Sequence, residues 1–295
     1  MALNSPALTL SIEALFGHIK PALDIIDALG PTDFSAEAPG IDIKPGSTVK
    51  VPLSTVGAAL AFNEETNNYL TGGSTDWATL TASHYLQGFD LKGTDLDNGA
   101  NESRVKQLFS KRCGAGISMA AVAAIKTSLD GCTASTGVTL PAAAELADYD
   151  KLATAKDWYN PMECCLVLNG AEYAKLKSVM HGAHLSASPA ALAEELGFKK
   201  VIVLSGMTAR AAIVPYGSLG FMARVPALVA DYKESGVETD PDSGLSIGIV
   251  VATEQKINRE VVNGDLWFGC AAVSASANAT TTQGIIKVGT ASSGT

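Results

Sequence analysis

The stretch NESRVKQLFSKRCGAGISMAAVAAIKTSLDG, residues 101–131, decides how the rest of the chain is read. Val105, Leu108, Phe109, Cys113, Ile117, Ala120, Ala124 and Leu129 recur at steps of three and four, the spacing of one helix face. Arg104, Lys106, Lys111 and Arg112 fall mostly off that stripe. Asn101 suits the N-cap and Glu102 the first turn, where a negative charge meets the positive end of the helix dipole. Asp130-Gly131 supplies the stop. The pattern predicts one helix from 101 to about 130, roughly 40 Å long at about 1.5 Å per residue. Gly114 and Gly116 lie inside it and cost about 1 kcal/mol each relative to alanine. Close approach of another backbone is the expected compensation.

Upstream, residues 1–40 read as an arm. Ile12, Leu15, Phe16, Ile19, Leu23, Ile25 and Ile26 give Ser11–Leu29 an amphipathic helical pattern, broken into two pieces at Pro21. Such a segment buries too little by itself and has to lie on another surface. Residues 41–92 read as β-structure. Ile41–Ile43 and Val49–Leu53 flank the turn signal Pro45-Gly46-Ser47, and His84–Leu91 is the expected returning strand. Between them, Asn63–Thr81 is long and polar and centres on Gly72-Gly73. A stretch of that length without structure is unusual inside a compact domain. The expectation is a long hairpin that projects from the body and is ordered by partners.

Downstream, Pro141 suggests the first turn of a helix over 141–157. Cys164–Leu168 reads as a short buried strand, Gly170–Met180 and Pro189–Leu196 as helices, and Val201–Leu204, Ala211–Pro215 and Leu219–Ala223 as strands. Ile247–Gln255 and Asp265–Val273 read as longer strands, and the tail from Thr290 as frayed. Grouped helices and late antiparallel strands make the class α+β.

Composition narrows the function. The 295 residues carry 17% charge and 47% apolar residues. So little charge fits a surface covered by neighbouring subunits, and it fits equally an Ala- and Gly-rich enzyme. A net charge of −9 argues against sequence-specific nucleic-acid binding, which needs a basic stripe. It does not argue against enclosing nucleic acid, because an acidic lining keeps packaged DNA from sticking. No run of about 18 apolar residues is present to span a membrane. Met1–Leu10 lacks the basic start and apolar core of a secretory signal. The five cysteines, Cys113, Cys132, Cys164, Cys165 and Cys270, have no zinc-type spacing and sit in apolar contexts. They read as small buried hydrophobes in a reducing compartment.

Catalytic, cofactor-binding and metal-binding residues are all expected to be absent. Neither GxxxxGK[ST] nor a strand-to-helix GxGxxG occurs. His181 and His184 stand three apart, without the third and fourth ligands a metal site needs. Ser205-Gly206 follows a strand but lacks the GxSxG signature. Cys164 and Cys165 lie in a strand interior, where burial raises a thiol's pKa. Asp231, Glu234, Glu238, Asp240 and Asp242 read as a solvated hairpin turn; calcium loops space their oxygens more tightly.

The order of parts, together with local text, resembles a known family. Gly46-Ser-Thr-Val-Lys-Val-Pro52 resembles the strand opening an extended loop, and Leu91–Leu129 a strand and spine helix. Leu146-Ala-Asp-Tyr-Asp-Lys-Leu-Ala153, Leu166-Val-Leu168, Glu172-Tyr-Ala-Lys-Leu176 and Phe198-Lys-Lys-Val-Ile-Val-Leu-Ser205 resemble the segment entering an axial domain. Asp265-Leu-Trp-Phe-Gly269 resembles a closing strand. The family is that of tailed-bacteriophage major capsid proteins, with the Hong Kong ninety-seven-type fold.

The resemblance implies an N-terminal arm over 1–40, an extended hairpin (E-loop) over 41–92, and a peripheral (P) domain with spine helix over 93–140. An axial (A) domain with P-domain return strands would occupy 141–260, and a closing P-domain strand and tail 261–295. It implies self-assembly as pentamers and hexamers into an icosahedral shell around double-stranded DNA, in a virion assembled in the host cytoplasm. Its partners would be further copies, a scaffolding protein, a portal and a decoration protein, with no membrane. Because no long acidic coiled-coil segment precedes the arm, scaffolding would come from a separate protein or a removed segment. No position matches crosslinking chemistry. Ile12, Leu15, Phe16 and Ile19 are the expected arm contacts, and Tyr69, Leu70 and Trp77 the expected E-loop contacts, since a large aromatic in a polar loop anchors interfaces. An encapsulin-like compartment and an α+β enzyme with an uncanonical site stand as alternatives.

Overall fold

The 101–131 stretch forms the long helix its spacing predicts. The computed structural model describes residues 24–29, 32–33, 48–54, 75–92, 102–156, 163–225, 234–239, 246–254, 259–274 and 284–290. In chain order a helical segment at 24–29 is followed by β1 (Thr32–Asp33), β2 (Thr48–Ser54), β3 (Thr75–Thr81), β4 (Ser83–Lys92), α1 (Glu102–Asp130) and β5 (Ala134–Leu140). Next come α2 (Leu146–Lys156), β6 (Cys164–Leu168), α3 (Gly170–Gly182), α4 (Pro189–Glu195), β7 (Lys200–Val203), β8 (Ala211–Pro215) and β9 (Leu219–Arg224). The series closes with β10 (Glu234–Thr239), β11 (Ser246–Glu254), β12 (Arg259–Ala272) and β13 (Ile286–Thr290). Among the described residues no helix is long and apolar enough to cross a membrane.

Helix α1 buries Cys113, Ile117, Ala121, Ile125 and Leu129, one per turn. Gly116 abuts β4, as its missing side chain requires, but the neighbour is a side chain and not the expected backbone. A Cβ there would stand 3.0 Å from the Gln87 amide oxygen. The helix ends where Gly131 N donates to Thr127 O at 2.9 Å. The Asp130 carboxylate then accepts from the backbone N–H groups of Thr208 (3.0 Å) and Ala209 (2.8 Å), fixing the loop between β7 and β8 to the helix end.

Two sheets flank this helix. The first is organised on the 14-residue strand β12. Strand β4 pairs antiparallel along one edge, from Arg259 opposite Lys92 to Phe268 opposite Ser83. The other edge is shared, with β11 beside Arg259–Asp265 and β9 beside Trp267–Ala272. Strand β10 extends the sheet beyond β11, and β1 joins β9 in parallel. The second sheet has the order β5-β13-β8-β6-β7 and mixes parallel and antiparallel pairs.

Side-chain alternation sends the second sheet into two cores at once. Cys165, Val167, Ala212 and Val214 join α1 and the inner face of the first sheet, including Phe221, Leu266 and Phe268. Cys164, Leu166, Ala211 and Ile213 face the other way, under Tyr149, Leu152, Leu176 and Leu192 of α2, α3 and α4. Strands covered on both sides read as continuous apolar runs, which is why β6 has the sequence CCLVL.

Several expectations change. The strand returning against β2 is β3, with Thr48 opposite Thr81 and Ser54 opposite Thr75, while His84–Leu91 lies in β4 against β12. The helix expected from Pro141 starts at Leu146. The Leu140 and Pro141 carbonyls accept from Arg210 Nη1 at 2.6 and 2.7 Å, and Asp148 Oδ2 accepts from Glu145 N at 3.0 Å to mark the later start. Glu234 and Glu238, read as part of a turn, lie on β10.

Candidate functional site

The β2–β3 hairpin is rooted on the outward face of the first sheet. Among the described residues the two strands of the hairpin pair only with each other. Its inner side rests on the sheet through Ala78, Leu80 and Ala82, packed against Met222, Ala271 and Val273, with Trp267 at the margin. Leu80 is fully buried, whereas Thr79 and Thr81 on the opposite side are exposed. The root is a corner of one residue: β3 ends at Thr81, β4 begins at Ser83, and Ala82 alone separates them. This corner presses on β12. A Cβ at Gly269 would lie 2.6 Å from Thr81 O and 3.3 Å from Ala82 N.

Beyond the corner the same face carries an ion-pair geometry between His84 and Asp265, and His84 meets the Trp267 ring edge-on with centroids 6.0 Å apart. The Trp267 Nε1 atom is buried and has no hydrogen-bond acceptor among the described residues. Leu86, two residues along β4, is 56% exposed. Met119 on α1 is 72% exposed and Val237 on β10 is 49% exposed.

Of the residues expected to make contacts, Ile12, Leu15, Phe16, Ile19, Tyr69 and Leu70 lie outside the described residues. Trp77 lies on β3 opposite Pro52, in the hairpin and not in a loop. The corner at Ala82 and its seat at Gly269 were not singled out in the sequence. The available signal was a glycine inside the apolar run Leu266–Ala272, which marks close backbone approach.

The helices covering the second sheet hold a buried charge network. Glu172 is 2% exposed and receives Arg210 Nε on Oε2 at 2.8 Å and Nη2 on Oε1 at 2.7 Å. Tyr149 Oη donates to the same Oε1 at 2.6 Å. Burial alone would raise the Glu172 carboxyl. The Arg210 and Tyr149 hydrogen bonds and the guanidinium charge outweigh that and hold it below the ordinary carboxylate range. Burial and the Glu172 hydrogen bond push the Tyr149 phenol up. The guanidinium makes four hydrogen bonds, to Glu172 and two carbonyls, so the network joins α2, α3, the β5 end and the start of β8 as a structural lock.

The residues considered for chemistry do not converge. Among the described residues no three His, Cys, Asp or Glu side chains are placed to hold a metal. His181 lies in the last turn of α3, and His184 follows it in the left-handed region with φ 59°. Ser205 sits against Gly170. Cys165 is fully buried and donates to Ala28 O at 2.9 Å, which fixes the 24–29 segment to the second sheet. Burial raises its pKa, and pushes Cys113 and Cys132 to about 11 and Cys270 to about 12. None of the five cysteines is in a disulfide. A groove beside β7, lined by Ala28, Ala193, Phe198 and Val201, has its two lysines already paired, Lys199 with Glu163 and Lys200 with Asp27.

No protein-family model matches the sequence, and no curated protein matches it. Solved structures do. The capsid of Ralstonia phage GP4 aligns over 84% of this chain and 84% of its own at 10% identity, with a TM-score of 0.51. The capsid of an empty GTA particle aligns over 88% of each chain at 12% identity, also with a TM-score of 0.51. A virus-like particle from Pyrococcus furiosus aligns over 93% of this chain and 95% of its own at 11% identity, with the lower TM-score of 0.48. The likeness extends over the helices and sheets together, and the fold of this chain is the Hong Kong ninety-seven-type capsid fold.

Proposed function

We propose that this chain is the major capsid subunit of a tailed phage. The observation that carries the proposal is the hairpin: in a chain with a capsid fold, β2 and β3 pair, among the described residues, only with each other and rest on the body through a small cluster. A two-stranded ribbon is marginal by itself, and docking on a neighbouring copy supplies the missing burial. In this reading β2–β3 is the E-loop, α1 the spine helix of the P-domain, and the second sheet with α2, α3 and α4 the A-domain. Ile12, Leu15, Phe16 and Ile19 of the arm, and Tyr69, Leu70 and Trp77 of the loop, contact neighbours. Subunits form pentamers and hexamers through interfaces repeated by symmetry. The shell encloses double-stranded DNA without base-specific contacts, in keeping with the net charge of −9. A scaffolding protein, a portal and a decoration protein are its partners, and assembly takes place in the host cytoplasm.

Electron microscopy of the expressed protein tests this. Megadalton icosahedral particles are expected; a monomer or small dimer under all assembly conditions sinks the reading. Particles holding protein cargo in place of DNA turn it into a compartment shell. A second experiment joins Ser54 to Thr75 through an Asn-Gly turn, since these residues already face each other. The shortened subunit is expected to fold and to fail to form stable shells.

A further inference from the structure

The hairpin leaves the body through a corner with no slack. One residue, Ala82, separates β3 from β4, and it is 2% exposed. Its neighbours Leu80 and Ala78 are held in the same cluster by Met222, Ala271 and Val273. The β4–β12 ladder ends at Ser83 opposite Phe268, and the next residue of β12, Gly269, lies under the Thr81 carbonyl. Gly269 does not have the left-handed backbone that would itself demand glycine, as Gly197, Gly206 and Gly217 do. It is glycine for space. A Cβ there would come within 2.6 Å of Thr81 O and 3.0 Å of Thr81 C, both backbone atoms.

We propose that this backbone-on-backbone seat sets the angle at which the hairpin projects, and that Gly269 is thereby a positioning residue for shell assembly. The proposal rests on the capsid reading above. Strand β12 cannot yield to an added methyl group. At Gly269 it is paired to Met222 of β9, and one residue earlier it is paired on both edges. Thr81 is the last rung of the hairpin, opposite Thr48, so its carbonyl moves only if both strands move. The displacement therefore passes into the hairpin. Seven residues at about 3.3 Å each make a lever of roughly 23 Å, so a tilt of about 10° at the root carries its far end about 4 Å. A shell repeats one subunit contact many times, and an error of that size at each contact prevents uniform closure.

The test compares the full-length wild type with Gly269→Ala and with Gly182→Ala, the latter at a glycine with open space around it. Amide exchange is read on unassembled subunits and particle size by electron microscopy. Gly269→Ala is expected to leave exchange in β6 and β8 unchanged, to speed exchange in β2 and β3 by about tenfold or more, and to give no shells or shells of mixed size. Gly182→Ala is expected to match wild type. Unchanged hairpin exchange together with wild-type shells from Gly269→Ala overturns the proposal. Should Gly269→Ala fail to fold, a glycine inserted between Ala82 and Ser83 decides, because it loosens the corner without a clash. Uniform wild-type shells from that insertion overturn the proposal, and mixed shells from a folded subunit support it. Absence of any particle from the wild type defeats the capsid reading, while the exchange comparison still judges the corner.

Discussion

Strand β6 is buried at all five of its residues, whereas β3 alternates, with Ala78 and Leu80 covered and Thr79 and Thr81 exposed. Both are short strands in the same chain. The first divides its side chains between two cores and is held under three helices, with the Glu172–Arg210–Tyr149 lock behind it. The second has one partner strand among the described residues and three buried residues beneath it, Met222, Ala271 and Val273. One region is complete within the subunit. The other has surface left over, which is what a docking element requires. On the proposed reading, stability and assembly are carried by different residues, and substitutions should separate them.

The largest effect is expected at the lock. Arg210→Ala leaves the buried Glu172 carboxylate without its cation and should cost about 3–5 kcal/mol in urea unfolding. Because the folded Glu172 pKa is depressed, the stability it contributes is fully present above the unfolded carboxylate pKa. It is lost as pH falls through that value and on through the lower folded one. Wild type should consequently lose more stability than Glu172→Gln between pH 7 and pH 3, and equal losses would mean the lock contributes nothing.

An intermediate effect belongs to the hairpin. Leu80→Ala empties the centre of the small cluster and should cost about 2 kcal/mol locally. Amide exchange should rise in β2 and β3 while β6 and β8 keep their protection. A uniform rise across the molecule would erase the distinction between the two regions. The smallest effect is expected from Tyr149→Phe, which removes one of the donors to Glu172 and should lower stability by about 1 kcal/mol in the same unfolding assay.

Legibility in the sequence followed the same division. Helix α1, strand β6, strand β8 and helix α3 were read from apolar periodicity, because each makes its own pattern and meets a core. The strands missed were those whose pattern is supplied from elsewhere. Strand β5 reads ASTGVTL, and its buried Ser135 is tolerated because the hydroxyl accepts from Gly137 N (3.2 Å) and Val138 N (3.0 Å). Strand β10 reads ESGVET and is a strand because β11 lies beside it. The Pro141 signal failed for a tertiary reason: the Leu140 and Pro141 carbonyls are held by Arg210, about 70 residues away, a partner local spacing cannot reveal. At the hairpin, a strand at Val49–Leu53 paired with a later one was legible, while residues 55–74 lie outside the described residues. Its true returning strand was not legible, since Thr75–Thr81 carries only two inward apolar residues, Ala78 and Leu80, which are too few for a periodic signal.

Strand β13 lies between β5 and β8, yet it is made from residues 286–290, some 150 positions after β5. During synthesis β5 leaves the ribosome well before β13, the strand it pairs with among the described residues. The sheet that completes the body is closed last, by a pairing of long sequence separation and therefore slow formation. A nascent chain consequently holds this sheet open until residues 286–290 have been made.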